Sequence, residues 1–594
     1  MTLLMNRRFP RTLDTFPAGL GNVDEIEIWT FDDRAQRSAV RERLARLGIR
    51  ARCRSAYKPL LHFFLEEIDL SDVEAVSIGY PVHNDALQDR FRLEAYPLAK
   101  LLDGVNLSFR PKKRSRQLYY DVEIVRRGGG RESHRVFAPN RLFNNCRGVA
   151  CLAPTGWLIV DGKRPGRRIE TDYEAIFHSI LETMAQVEWP DRQPFFPELH
   201  IEVAISAADE KIGPLVEDIS LAEAMHEDIY FSLLDLFRHR SGLAAADRKF
   251  RPGWFVPIVR SHPGAASATI EIKPIRRYST RREASALHSV PHAPDLAQIR
   301  SELISIGGKA LSAHSASGRK VSGRYISGSD LPVVITGGQH ANETTGVVGA
   351  LRAAAGLARR RTSHFAVVPL ENPDGYALHQ HLCKINPRHL NHAARFTVLG
   401  DDLEHRVGGE LWEKQLRLDA QLLSGADLHV NLHGYPAREW TRPLTGYIPD
   451  GYEKWTLPKG FFLIMRYHDG WEKRGRALLG EVTRHLSRLP RLLEFNAGQL
   501  ETYRIHAGEP DFEMINSIPC TVLRDGNSSY PLTLITEYPD ETIYGQEFID
   551  GHTTQMEVVL AAYAAWQSVA GRNVADDRGP GRTSVTQPSD LVSS

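Results

Sequence analysis

Hydrophobic and polar positions change rhythm part-way along this chain. Up to about residue 290, strand-like alternation and helix-like periodicity are mixed. Glu25–Phe31 alternates as a strand, and Asp33–Leu47 is a charged amphipathic helix ended by Gly48. Gln117–Arg126, His200–Ser206 and Glu271–Ile275 also read as strands, and Tyr173–Val187 and Leu221–His239 as helices. The pattern predicts an α+β region over residues 1–290, long enough for two subdomains. No fixed-period repeat and no catalytic constellation occur there. His83, Asp85, Asp89 and Arg90 are close in sequence, as loop and surface residues commonly are.

Residues 279–293 are rich in Ser, Arg, His and Ala, with Pro291 and Pro294 at the end, and mark a boundary. Beyond Leu296 short apolar strands alternate with helices. The strands are Val333–Thr336, Phe365–Pro369, Asp427–Leu432 and Leu532–Thr536; the helices are Thr345–Arg361, Leu411–Leu423, Trp471–Leu489 and Thr554–Gln567. This alternation predicts an α/β domain over 295–570 with a largely parallel sheet. The tail, 571–594, has the composition of a disordered segment.

The 594-residue chain carries 42% hydrophobic and 25% charged residues and a net charge of +1. These values fit a globular protein and give no nucleic-acid footprint. Five scattered cysteines without a CxxC argue against a disulfide framework or a thiolate metal site. No apolar run is long enough for a membrane span, and the N-terminus lacks a signal-peptide h-region. The expected compartment is the cytoplasm; the oligomeric state is left open.

The chemistry starts at Leu331-Pro-Val-Val-Ile-Thr-Gly-Gly-Gln-His340-Ala-Asn-Glu343. An apolar run ends in two glycines, then an imidazole and a carboxylate stand three residues apart, as two ligands of a zinc ion can. With 24 histidines, roughly one HxxE is expected by chance. His506-Ala-Gly-Glu509 is such a match, with no buried strand before it. The first match gains weight from residues further along the chain. The strand Asp427-Leu-His-Val-Asn-Leu-His-Gly-Tyr435 offers His429 and His433 on one face, and His433 is preferred because it sits at the carboxyl end, where α/β sheets bind ligands. Strand Leu532–Thr536 delivers Glu537 as a candidate base.

In order, HxxE, Asn372-Pro-Asp-Gly-Tyr376, Gly400-Asp-Asp-Leu403, His433-Gly-Tyr, Ile535-Thr-Glu537 and Ile543-Tyr-Gly545 resemble the zinc metallocarboxypeptidases of the carboxypeptidase A family. The resemblance covers about residues 295–570 and implies an α/β/α domain with a mixed sheet. It implies one Zn2+ ion held by His340, Glu343 and His433. Glu537 matches the catalytic glutamate, and Asp402 the aspartate that hydrogen-bonds the first histidine. It also implies an oxyanion-stabilising arginine after the Asn-Pro-Asp-Gly-Tyr stretch, either Arg388 or, as fallback, Arg395. The substrate-side tyrosine is Tyr503, Tyr530 or Tyr544, the last within the shared Tyr-Gly element. Arg438, Trp440 and Arg442 come after the third ligand and either line the pocket or pack the loop.

One departure bears on specificity. The family grips a substrate's terminal carboxylate with Asn-Arg soon after the aspartate. Here Glu404-His-Arg406 stands in that place. Glu404 would repel a free carboxylate, and Arg406 recovers the anion site only if the loop shifts by one residue. The implied function is zinc-dependent hydrolysis of amide bonds in a peptide or peptide-like substrate. The alternatives are an N-acyl amino acid deacylase of the aspartoacylase or succinylglutamate desuccinylase type, and a non-catalytic binding protein on a peptidase scaffold.

Overall fold

The computed structural model describes residues 1–16, 23–145, 148–212, 217–243, 250–406, 408–449 and 452–572. Cys146 and the tail from residue 573, where disorder is expected from the sequence, lie outside them.

Nine strands of the C-terminal half form one sheet. Their spatial order is Lys309–His314, Lys320–Ile326, Phe365–Val368, Val333–Gly337, Leu428–Pro436, Leu532–Glu541, Phe462–Tyr467, Ile518–Arg524 and Glu513–Ile515. The four strands from Phe365–Val368 to Leu532–Glu541 are mutually parallel, and antiparallel strands flank them on both sides. The sheet is therefore mixed, with its parallel part at the centre. Alternate residues of the Val333–Gly337 strand enter different cores. Val333 and Ile335 pack with Val347, Val348 and Leu351 of the Thr345–Leu357 helix, while Val334 faces Ala366, Ala420 and Tyr530. Helices thus cover both faces in an α/β/α arrangement, which is why these strands read as continuous apolar runs.

The Asn-Pro-Asp-Gly-Tyr stretch opens a helix, Pro373–Ile385, that periodicity did not predict. The Asn372 side chain accepts from the Gly375 N–H at 3.0 Å, and Pro373 occupies the first turn, where a missing N–H costs nothing. Also unpredicted are the Phe462–Tyr467 strand, the Pro490–Ala507 helix and the strands Glu513–Ile515 and Ile518–Arg524. The last helix begins at Gln546, earlier than its apolar periodicity suggests.

The N-terminal half is α+β. It contains three four-stranded sheets and two small ribbons among the described residues. Helix Asp172–Gln186 begins at Thr171 in a capping box with Glu174. The main core of this half runs from Met5 to Tyr278 and also takes in Ala377, Leu378, Leu382, Ala393, Ala394 and Leu444. Helix Pro373–Ile385 is shared: its Tyr376 belongs to the core of the nine-stranded sheet.

Candidate metal centre

Three parallel strands bring the site together at their carboxyl ends. The chain leaves Val333–Gly337 through Gly338, whose φ of +59° is a left-handed conformation that suits glycine. This turn sets His340 and Glu343 ahead of the Thr345–Leu357 helix. That helix begins close against the next strand: a Cβ on Gly346 would lie 2.9 Å from Leu432 Cβ. His433 is the residue after Leu432, so the glycine lets the HxxE segment approach it.

His340 Nδ1 lies 2.8 Å from Glu343 Oε1 and 3.1 Å from His433 Nδ1. His433 Nδ1 lies 3.0 Å from Glu343 Oε2, which also accepts from the Gly434 N–H at 3.0 Å. One donor atom from each of His340, Glu343 and His433 falls within 4.8 Å of the others, and all three residues are buried. The other nitrogen of the first histidine, His340 Nε2, is 3.1 Å from Asp402 Oδ2, and Gln339 Nε2 donates to Asp402 Oδ1 at 3.1 Å. Asp402 thus takes the outer ring nitrogen and leaves Nδ1 for the cluster.

The electrostatics favour a cation here. Burial and Arg395 work against charge on His340, yet Glu343 and Asp402 push its pKa up to about 9. Burial alone would raise the Glu343 carboxyl, but His340, Arg395 and His433 hold it well below the usual range. His433 is lowered, by burial first. Two imidazole nitrogens and a carboxylate suit Zn2+, and the donor set is one protein ligand short of tetrahedral closure.

Glu537 is the direct partner of His433 in the parallel register, so both side chains leave the sheet on the same side. Burial and the charge of Glu343 push its pKa up to about 8. His429 lies deeper, with Nε2 2.8 Å from Thr336 Oγ1 and its ring stacked on Tyr530 at 4.6 Å.

The two candidate arginines separate. Arg395 donates to Glu343 Oε1 at 2.5 Å and keeps a quarter of its side chain exposed. Arg388 donates to Asp218 Oδ2 at 2.5 Å. Glu404 and Arg406 are both tied into the protein. Glu404 accepts from Arg417, which also grips Glu371 and Gln339. Arg406 is buried, paired with Asp401 at 2.6 Å and Glu413 at 2.5 Å. Neither is free to meet a terminal carboxylate in this conformation. Tyr544 donates to the Pro387 carbonyl at 2.6 Å, Tyr530 to the Arg417 carbonyl at 3.2 Å, and Tyr503 to the Lys454 carbonyl at 3.5 Å. Arg438 donates to Thr542, and Trp440 to the Trp455 carbonyl.

Sequence reasoning missed the Glu371–Arg417–Gln339 bridge, because Arg417 stands in no motif and 46 residues from Glu371. It also missed Lys459, whose ammonium lies 3.9 Å over Trp455 and is lowered to about 8 by burial, with Glu537 opposing. The control match behaves as a structural residue: His506 is buried between Ala99 N–H and the Arg92 carbonyl, and Glu509 pairs with Arg504. A second trio, His62, Glu66 and Glu210, has metal-like spacing, but both Glu66 oxygens accept from Arg37. No helix among the described residues is long and apolar enough to cross a membrane.

No family model matches this chain. No curated protein matches it either. Among solved structures, a metallo-carboxypeptidase from Burkholderia cenocepacia aligns at 14% identity over 53% of this chain and 74% of its own, with a TM-score of 0.28. Thrombin activatable fibrinolysis inhibitor aligns at 11% identity over 49% and 81%, with a TM-score of 0.30. A succinylglutamate desuccinylase/aspartoacylase from Rhodobacter sphaeroides aligns at 13% identity over 43% and 65%, with a TM-score of 0.25. Likenesses at this level carry no argument about chemistry, which rests on the residues themselves.

Proposed function

We propose that residues 295–570 are the catalytic unit of a zinc-dependent hydrolase that cleaves amide bonds in peptides or peptide-like substrates. The observation that carries this reading is the convergence of His340 Nδ1, Glu343 and His433 Nδ1 within 4.8 Å, with Glu537 in register beside His433.

When bound, zinc would polarise the scissile carbonyl and acidify a water molecule. His340, Glu343 and His433 would hold it, and Asp402 would fix the His340 tautomer. Glu537 in its ionised form takes the water's proton and returns it to the departing amine. Burial and Glu343 hold its carboxyl above the usual range, and a cation among Glu343, His340 and His433 would draw it back toward the ionised form that the base needs. Arg395, rather than Arg388, is the group we assign to the oxyanion, because its guanidinium is at the cluster and partly open to solvent.

The ties on Glu404 and Arg406 speak against recognition of a free α-carboxylate at that place. An N-acyl amino acid also ends in a free α-carboxylate, so the second reading, its hydrolysis, would need an anion site elsewhere in the pocket. Metal analysis of the purified chain, then a panel of peptides with free and amidated C-termini and of N-acyl amino acids, tests the proposal. A chain that binds no stoichiometric zinc, or a zinc-loaded chain that cleaves nothing in the panel, would favour the binding-protein reading.

A further inference from the structure

The N-terminal half carries a cavity of about 240 Å3 that the proposed hydrolysis does not use. It lies between two sheet-edge strands of different sheets, Arg50–Ser55 and Arg131–Phe137. Its wall contains five arginines and three glutamates. The glutamates are already neutralised. Glu66 holds Arg37 at 2.6 and 2.9 Å, Glu27 holds Arg54 at 2.9 Å and Arg164 at 2.7 Å, and Glu67 holds Arg54 at 2.7 Å. Two guanidiniums are left over. Arg52 is exposed and has no acidic partner among the described residues. Arg135 lies 4.3 Å over the Tyr119 ring, and its nearest acid, Asp121 at 3.6 Å, is already held by Lys112 at 2.5 Å.

Much of the rest of the wall is aromatic, with Trp29, Phe63, Tyr119 and Phe137 beside Ser55, Pro59, Val136 and two histidines. Trp29 and Phe137 meet edge to face at 5.3 Å, and Tyr119 packs on Phe137 at 5.0 Å. The indole N–H of Trp29 is buried and has no acceptor. Two spare guanidiniums match a dianion, and guanidinium suits phosphate geometry. Flat aromatic faces match a planar ring.

We propose that this cavity binds a small aromatic phosphate monoester, with Arg52 and Arg135 on the phosphate and the Phe137–Tyr119 face against the ring. The proposal is independent of the zinc reading. Calorimetric titration of the full chain with adenosine 5′-monophosphate, adenosine and inorganic phosphate tests it. One molecule of the monophosphate per chain is expected, more tightly bound than either fragment. Arg52→Glu and Arg135→Glu should each weaken it about tenfold or more. Both side chains are exposed, so melting of the ligand-free variants should match the parent; Arg52→Gln is the milder version should either fail to fold. No binding of the monophosphate at millimolar concentration overturns the proposal, as does unchanged affinity in the variants. Inorganic phosphate or adenosine binding as tightly as the monophosphate would also overturn it, by removing the role of the ring or of the charge.

Discussion

Glu537 stands directly opposite His433 across two parallel strands. A ligand candidate and a base candidate therefore share one rigid piece of sheet, and their separation is set by backbone hydrogen bonds rather than by a loop. Glu537→Gln should keep metal content at the parent level and reduce turnover by about 10²–10⁴. Metal analysis and a rate measurement on the same preparation check this. Parent-like rates in the metal-loaded variant would remove Glu537 from the mechanism.

His433→Ala should abolish stoichiometric metal binding, whereas His429→Ala, deeper on Thr336 and Tyr530, should retain it. Asp402→Asn should weaken metal affinity by about 10–100-fold, because the outer His340 nitrogen loses its charged carboxylate acceptor. Chelator competition gives these affinities. Metal retained in His433→Ala would point to a different ligand set.

Arg395→Ala should lower kcat by about 10²–10³, as loss of an oxyanion donor does elsewhere. Arg388→Ala should leave kcat within a few-fold, since Arg388 is bound to Asp218. The reverse ranking would reassign the oxyanion role.

Arg417 holds Glu371, Glu404 and Gln339 at once, and Glu371 is fully buried. Arg417→Met should destabilise the fold by about 3–5 kcal/mol, because it leaves an uncompensated buried carboxylate. Denaturant unfolding measures the loss. A change below about 1 kcal/mol would mean that the bridge is dispensable.

Asp32 is buried, and burial together with Asp172 raises its carboxyl from 3.8 to about 7. The folded value exceeds the unfolded one, so its contribution to stability is complete below about pH 4 and is lost as pH rises to about 7. Asp32→Asn should flatten that decline and raise the unfolding midpoint at pH 8 relative to the parent. An identical pH profile in the variant would assign the decline to other groups.

The parallel centre of the sheet was legible because both faces are covered, so its strands stand out as apolar runs closed by glycine or a polar residue. The Phe462–Tyr467 strand was missed although Gly460 and Asp469-Gly470 bracket it, since its last two residues are only half-buried and Arg466 breaks the apolar run. Helix Pro373–Ile385 was hidden for another reason: Pro373 and Gly375 in its first turn read as loop punctuation. At the site, the HxxE pair, His433 and Glu537 were readable as types at strand ends. The choice between Arg388 and Arg395 was not, because loop spacing does not fix where a long side chain reaches. The ties on Glu404 and Arg406 depend on Arg417, Asp401 and Glu413, of which only Asp401 stood in a recognised stretch.

Helix Pro373–Ile385 sends Tyr376 into one core and Ala377, Leu378 and Leu382 into the other. The halves of this chain are therefore not interchangeable parts. A truncation near residue 290 would strand one flank of that thirteen-residue helix in water. A transplanted N-terminal half would have to match the same flank side chain by side chain. The stretch that opens this helix, Asn372-Pro-Asp-Gly-Tyr376, thus also starts the element through which the two cores are joined.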